Sequence, residues 1–174
     1  MPAVKIYLVD LDGVINSSNL RQHLIPKTEM AKCTAMGWLE WHKAHGEEAM
    51  NDEMIDFLNR EHADGNAVLF VSMRLDLCRD STVRSLLDAG LGFNPVLWMR
   101  SEDDDTPPPA SRARAVHDVI QLFGALHHDA QITLIDDSLD NVQAVQRCPC
   151  IRQAASDHGC QVLTILYPAF KGCE

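Results

Sequence analysis

The sequence predicts an α/β protein built on a doubly wound, Rossmann-like parallel sheet flanked by helices, and three observations lead there. Residues 4–9, 67–71 and 131–135 are short, mainly apolar runs, as expected of strands buried on both faces in a parallel sheet. Segments with apolar residues at helical spacing separate them, and such alternation implies right-handed strand–helix–strand crossovers. Each run also stops at polar residues: Asp10 and Asp12, Ser72, and Asp136 and Asp137. The carboxyl ends of strands in open α/β sheets face the crevice where ligands bind.

The elements follow in order. After the first strand a polar loop leads into helix within 29–45. Met50, Met54, Phe57 and Leu58 recur at helical spacing on a segment ending near His62, a core-facing pattern. The second strand passes into a helix over about 76–89, closed by Gly90. A third strand at 95–99 precedes an acidic, proline-rich loop at 101–109. Val116, Val119, Ile120 and Phe123 mark the next helix, before the strand at 131–135, a helix at 138–146 and a last strand at 161–166. Residues 147–158 read as an insertion ahead of that last strand.

A chain of 174 residues can bury one core and is short for two, so residues 1–174 are expected to form one domain. Fifteen basic against 25 acidic residues leave a formal charge of −10, which argues against a broad nucleic-acid surface while allowing a local basic pocket. Six irregularly placed cysteines, no signal-peptide pattern and no long apolar run suggest a cytoplasmic protein with free thiols and no membrane partner. Cys148, Cys150, His158 and Cys160 have poor spacing for zinc and read as structural.

The acid pairs carry the chemistry. Either alone could be turn or helix-cap chemistry. Together, at two strand ends, such repelling carboxylates imply a bound hard cation, most simply Mg2+.

Asp10-Leu11-Asp12-Gly13-Val14 and Asp136-Asp137 resemble the first and fourth motifs of the haloacid dehalogenase-like (HAD) phosphohydrolases, and Val68-Leu69-Phe70-Val71-Ser72 resembles the second. The resemblance implies a HAD-like fold with a small cap, a short helical insertion at about 16–48. Under it, Asp10 would attack phosphorus and carry an aspartyl-phosphate, dividing a hard hydrolysis into two easier steps. Asp12 would protonate the leaving oxygen and later deprotonate the attacking water. Asp10, Asp12, Asp136 and Asp137 are the candidate metal residues, and Ser72, Met73 and Arg74 the candidate phosphate cradle.

Ser72-Met73-Arg74, then Arg79, Thr82, Leu86-Leu87, Leu97-Trp98-Met99-Arg100 and Asp103-Asp104-Asp105, look like the phosphatase domain of polynucleotide kinase 3′-phosphatases. That likeness puts Arg74 on phosphate, where a bidentate guanidinium suits an end group. Ser138 stands where those relatives usually have arginine. The third HAD motif is a lysine, yet no lysine lies between Lys43 and Lys171. Three residues on one predicted helix could replace it: Arg112, Arg114 and His117. Ungapped counting falls on His117, which is a cation only when protonated; a permanently charged arginine is preferred, Arg114 first.

The short insertion suggests an open or partly open site, able to accept a polymer end or to gain cover by oligomerisation. Trp38 and Trp41, with His42 and His45 nearby, fit packing first and base stacking second. The expected activity is Mg2+-dependent phosphomonoester hydrolysis on a nucleic-acid 3′-phosphate end or a nucleotide, with a separate kinase as a possible partner. A 5′(3′)-nucleotidase acting on free nucleotides is the alternative among enzymes, and a HAD-fold binding module that lost its third-motif cation is the alternative of another class.

Overall fold

The computed structural model describes residues 3–172. The strands are β1 (Lys5–Val9), β2 (Ala67–Leu75), β3 (Val96–Arg100), β4 (Gln131–Asp136) and β5 (Gln161–Leu166). They form one all-parallel sheet in the order β3-β2-β1-β4-β5. The chain winds outward from β1 to β3, then returns to the other side of β1, so the order reverses between β1 and β4. That reversal opens a crevice at their carboxyl ends.

Strand β1 shows why these runs look continuously apolar. Tyr7 and Val9 face a cluster with Ile55 and Leu58, whereas Ile6 and Leu8 face the opposite cluster with Val116, Val119 and Ile120. Among the described residues the α-helices are α1 (Glu29–Lys32), α2 (Leu39–Lys43), α3 (Asp52–Ala63), α4 (Arg79–Asp88), α5 (Pro108–Gly124), α6 (Leu139–Arg147) and α7 (Pro149–His158). Helices α3 and α4 supply side chains to the first cluster, and α5, α6 and α7 to the second.

Several boundaries differ from the sequence expectation for local reasons. Strand β2 runs on through Ser72, Met73 and Arg74 to Leu75, with an irregular register between Val71 and Leu75. The loop expected at 101–109 ends early, because Pro108 and Pro109 begin α5, where missing backbone donors cost nothing. Most of the stretch expected as an insertion at 147–158 is helix α7, and its Ile151 and Ala154 complete the second cluster.

The helix expected within 29–45 is broken into α1, a 3-10 turn at Met36–Trp38, and α2. Thr34 Oγ1 donates to the Ala31 carbonyl and accepts the Gly37 N–H, and a Cβ at Gly37 would overlap the Ala31 carbonyl. The insertion is a compact excursion with a closed neck. Ser17 N–H donates to the Ala49 carbonyl and Asn51 N–H to the Ile15 carbonyl, at 2.9 and 2.7 Å. Asn51 also caps α3 by accepting the Met54 N–H, while its own amide donates to the Val14 carbonyl and the Tyr167 hydroxyl. Past β5, Tyr167 N–H donates to the Asp136 carbonyl and Phe170 N–H to the Gly13 carbonyl, folding the C-terminal segment back on the crevice loops.

Asn51→Ala removes a cap and two buried ties at once. Its unfolding free energy in urea is expected to fall by about 1–2 kcal/mol; a change below about 0.5 kcal/mol would show that the neck does not constrain the insertion.

Candidate active site

The ends of β1 and β4 meet where Asp10 N–H donates to the Ile135 carbonyl at 2.9 Å. Asp10, Asp136 and Asp137 each offer a carboxylate oxygen, all within 4.8 Å of one another, and no other such group of three occurs among the described residues. Gly13 makes this possible. Its φ of +97° suits glycine, and a Cβ there would overlap the Asp137 carboxylate. Burial raises the pKa of Asp10 well above the usual carboxylate range; Arg112 opposes that rise, and the charges of Asp136, Asp12 and Asp137 add to it.

The compensating charge is Arg112. Its Nη2 donates to Asp10 Oδ1 at 2.5 Å and its Nε to Asp136 Oδ2 at 2.8 Å. Asn141 Nδ2 reaches both Asp136 oxygens at 3.0 and 3.1 Å, and Ser138 N–H donates to Asp136 Oδ1. Arg112 is 2% exposed, and its Nη1 is buried without a partner in the protein.

Arg114, the expectation's first choice, lies elsewhere: it pairs with Asp104 at 2.5 Å and its side chain is 46% exposed. His117 is also peripheral, 3.3 Å from Asp118. Helical geometry explains the difference, since residues two apart point to different sides. Arg112 shares its face with Ala115, Val116, Val119 and Ile120, all buried.

Asp12 is held by two guanidiniums. Arg74 donates from Nη2 to Oδ1 at 2.6 Å and from Nε to Oδ2 at 3.2 Å, and also reaches Asn16 and Thr82. Arg21 pairs with the same Asp12 oxygen. It also donates to Glu48 at 2.9 Å and to the Trp41 carbonyl, and its Cζ lies 3.7 Å from the Trp41 ring centroid. Burial alone would raise the Asp12 pKa, but Arg74 and Arg21 together hold it well below the usual carboxylate range. Ser72 is buried, its Oγ accepting the Arg74 N–H at 3.1 Å, and Met73 lines the cavity above the acids.

Sequence reasoning missed Arg21, Glu48 and Asn16. Arg21 and Glu48 sit at opposite ends of the insertion, with no local pattern linking them. Asn141 does have a signal, the Asp-Asp-Ser-Xaa-Xaa-Asn spacing that puts its amide one turn into α6.

A cavity of about 510 Å³ opens over Asp10, Asp12 and Arg112. One wall comes from the insertion, with Trp38, Trp41 and His42; the other comes from the β3–α5 connection, with Arg100 and residues 105–108. Burial lowers the His42 pKa to about 4, so that imidazole is neutral at pH 7.

Neither a family model nor a curated protein matches the sequence. Solved structures do. The HAD domain of effector protein Lem4 from Legionella pneumophila, solved as an inactive mutant, is 12% identical with a TM-score of 0.56, over 96% of this chain and 87% of that one. A second structure of that HAD domain has a TM-score of 0.54 at 12% identity, with the same coverage. A chain of the Pnkp1/Rnl/Hen1 complex is 18% identical with a TM-score of 0.57, over 98% of this chain and 48% of that one. The chain has the fold of a HAD domain. It spans about half of the chain in the Pnkp1/Rnl/Hen1 complex.

The acid cluster fits the Mg2+ that this fold commonly uses: its donors are hard oxygens, buried and mutually repelling, and Arg112 leaves Asp137 and one oxygen of Asp10 uncovered. Burial, then the charge of Asp136, pushes the Asp137 pKa up to about 6. Between its ordinary value of 3.8 and about 6, folded Asp137 keeps a proton that the unfolded chain has released. Its contribution to stability is therefore present at low pH and lost as pH rises through about 6. Metal binding needs the ionised form. Mg2+ should accordingly raise Tm more at about pH 7.5 than at about pH 5, and Asp137→Asn should flatten that difference; equal Mg2+ shifts at both pH values in the unmodified protein would remove Asp137 from the ligand set.

Proposed function

We propose that this chain is a Mg2+-dependent phosphomonoesterase that works through an aspartyl-phosphate on Asp10, acting on phosphorylated nucleotides or nucleic-acid 3′ ends. The observation that carries this reading is the buried, unpartnered Nη1 of Arg112, beside the carboxylate of Asp10 and at the floor of the cavity. A buried donor without an acceptor is costly, and a phosphoryl oxygen would satisfy it. Arg112 thereby does what the missing lysine would do, bridging nucleophile and phosphate. The binding-module alternative loses its main support once a buried cation occupies that place.

In the first step an Asp10 oxygen attacks phosphorus, the bond from phosphorus to the leaving oxygen breaks, and that oxygen takes a proton. In the second, water attacks the aspartyl-phosphate, releasing inorganic phosphate and restoring Asp10. Mg2+ held by Asp10 and Asp137, the acids with an uncovered oxygen, would supply charge neutralisation between the nucleophile and the phosphate dianion. Asp12, ionised between Arg74 and Arg21, is in the form that accepts a proton from water. Its acid role in the first step requires that a guanidinium leave it, and Arg74 has reason to do so when a phosphate arrives. The polynucleotide-phosphatase likeness around Ser72, Met73 and Arg74 supports a nucleotide or nucleic-acid 3′ phosphate as substrate.

The test is Mg2+-dependent phosphate release from adenosine 3′-monophosphate and a 3′-phosphorylated oligonucleotide. Asp10→Asn is expected to lower release from the better substrate by about a thousandfold or more, as for loss of a nucleophile. Arg112→Lys, which keeps the charge but not the fork, should lower it by about a hundredfold. Arg114→Ala should change it by no more than about twofold, as for an exposed pair. Full activity in Asp10→Asn would reject the mechanism, and full activity in Arg112→Lys would reject the role of Arg112.

A further inference from the structure

The cavity over Asp10 has features that the phosphate chemistry does not use. Trp38 and Trp41 stand edge to face, ring centroids 5.7 Å apart and planes at 90°, and so form an aromatic corner. Arg21 covers one face of Trp41. Across the cavity, Pro107 and Pro108 present an apolar surface. Flat rings are what such a slot accepts, since every planar heterocycle has a face to stack and an edge to pair.

The corner also carries unmet polar capacity. Trp41 Nε1 and His42 Nδ1 are both buried without a partner in the protein, and both side chains line the cavity. His42 is 3% exposed. A plain hydrocarbon ring would leave those nitrogens unsatisfied, whereas the edge of a nucleobase offers matching donors and acceptors.

The two walls are joined. Asp105 Oδ1, at the end of the acidic loop, accepts the Ala35 N–H of the insertion at 2.7 Å, and Arg100 lies 3.8 Å from the same oxygen. The Asp105 side chain is 55% exposed, which places the bond at the rim, while Ala35 beneath it is fully buried. A volume of about 510 Å³ lies within the roughly 300–1,000 Å³ range of sites that enclose one small ligand.

We infer that the cavity holds the nucleoside of a free nucleoside monophosphate, its base in the Trp38–Trp41 corner and its phosphate at Asp10 and Arg112, with the Asp105–Ala35 latch excluding a longer strand. This assignment rests on the phosphomonoesterase reading for the position of the phosphate, but not for the base. It turns the short insertion from an open cover into a selective one. Because Arg21 both stacks on Trp41 and pairs with Asp12, a base seated in the corner bears on the acid–base group through a single side chain.

The experiment compares kcat/KM for adenosine 3′-monophosphate, glycerol phosphate and a 3′-phosphorylated oligonucleotide, alongside tryptophan-fluorescence titration of the Mg2+-free protein with adenosine, which carries no phosphate to be repelled by the acids. The mononucleotide should exceed glycerol phosphate by about tenfold or more, the scale of one base–aromatic stack, and should exceed the oligonucleotide because the latch excludes a longer strand. Trp38→Leu should collapse its advantage over glycerol phosphate, chiefly through KM, and Asp105→Ala should narrow its advantage over the oligonucleotide. Hydrolysis of glycerol phosphate or the oligonucleotide as fast as the mononucleotide would overturn the assignment and leave the phosphomonoesterase standing. No hydrolysis of any ester, with saturable fluorescence quenching that Trp38→Leu abolishes, would uphold the cavity and overturn the phosphatase. Absence of both hydrolysis and quenching would overturn both.

Discussion

The contact between Arg112 and the two aspartates Asp10 and Asp136 is the constraint on which the rest of the structure depends. Parallel strands bring their carboxyl ends together whatever residues stand there, and here they bring together carboxylates that burial makes costly to ionise. One guanidinium spanning the ends of β1 and β4 offsets part of that cost and fixes the separation of the two acids. It can do so only because α5 crosses that face with its apolar stripe inward, carrying Arg112 at the head of the stripe. Asn141 and the Ser138 N–H then fill the remaining acceptor sites of Asp136, so α6 is held to the same point. The packing of two helices and the placement of Asp10 are one arrangement.

A second set of charges organises the insertion. Arg21 is 1% exposed, although it lies on a segment with little regular secondary structure. It is held because Asp12, Glu48 and the Trp41 carbonyl each take one of its donors and the Trp41 ring covers its face. Asn16 links the same group by donating to Asp12 and Glu48 and accepting from Arg74. Breaking such a buried network by removing one member costs several kcal/mol, since the remaining charges stay buried and unpaired. The insertion is therefore ordered from its floor upward, by ion pairs at the strand ends more than by its own short helices.

The parts legible in the sequence were those written in local spacing. The strands at 4–9, 67–71 and 131–135, the acid pairs after them and the helix start at Ser138 are all readable within a few residues. Arg112 was nearly legible: counting the i+3 and i+4 positions back from Val119 and Ile120 through Ala115 and Val116 puts Arg112, not Arg114, on the buried face. Ungapped counting from Asp136 to the third-motif position of the HAD resemblance falls on His117, whose carboxylate partner is Asp118. Arg21 and Glu48 were not legible, because a pair 27 residues apart within an irregular segment leaves no periodic trace. The latch from Asp105 to Ala35 spans 70 residues and one partner is a backbone N–H, which no side-chain pattern can announce.

The site's charge balance gives an order to binding. Asp10, Asp12, Glu48, Asp136 and Asp137 face three guanidiniums, those of Arg21, Arg74 and Arg112, leaving a formal −2 in a largely buried volume. Part of that excess is absorbed by protons, as the raised pKa values of Asp10, Asp137 and Glu48 indicate. A phosphate dianion brought to the site in that state would meet carboxylates of its own sign at short range, where low dielectric makes repulsion strong. A divalent cation would cancel the formal excess, so under the proposed function it would favour substrate binding as well as the chemistry. Arg112 Nη1 is then a donor beside Asp10 with no partner in the protein, while Arg74 can reach phosphate only by loosening its grip on Asp12. Under the proposed function, substrate arrival and the return of Asp12 toward a protonatable state would in this way be the same event, driven by one guanidinium changing partners.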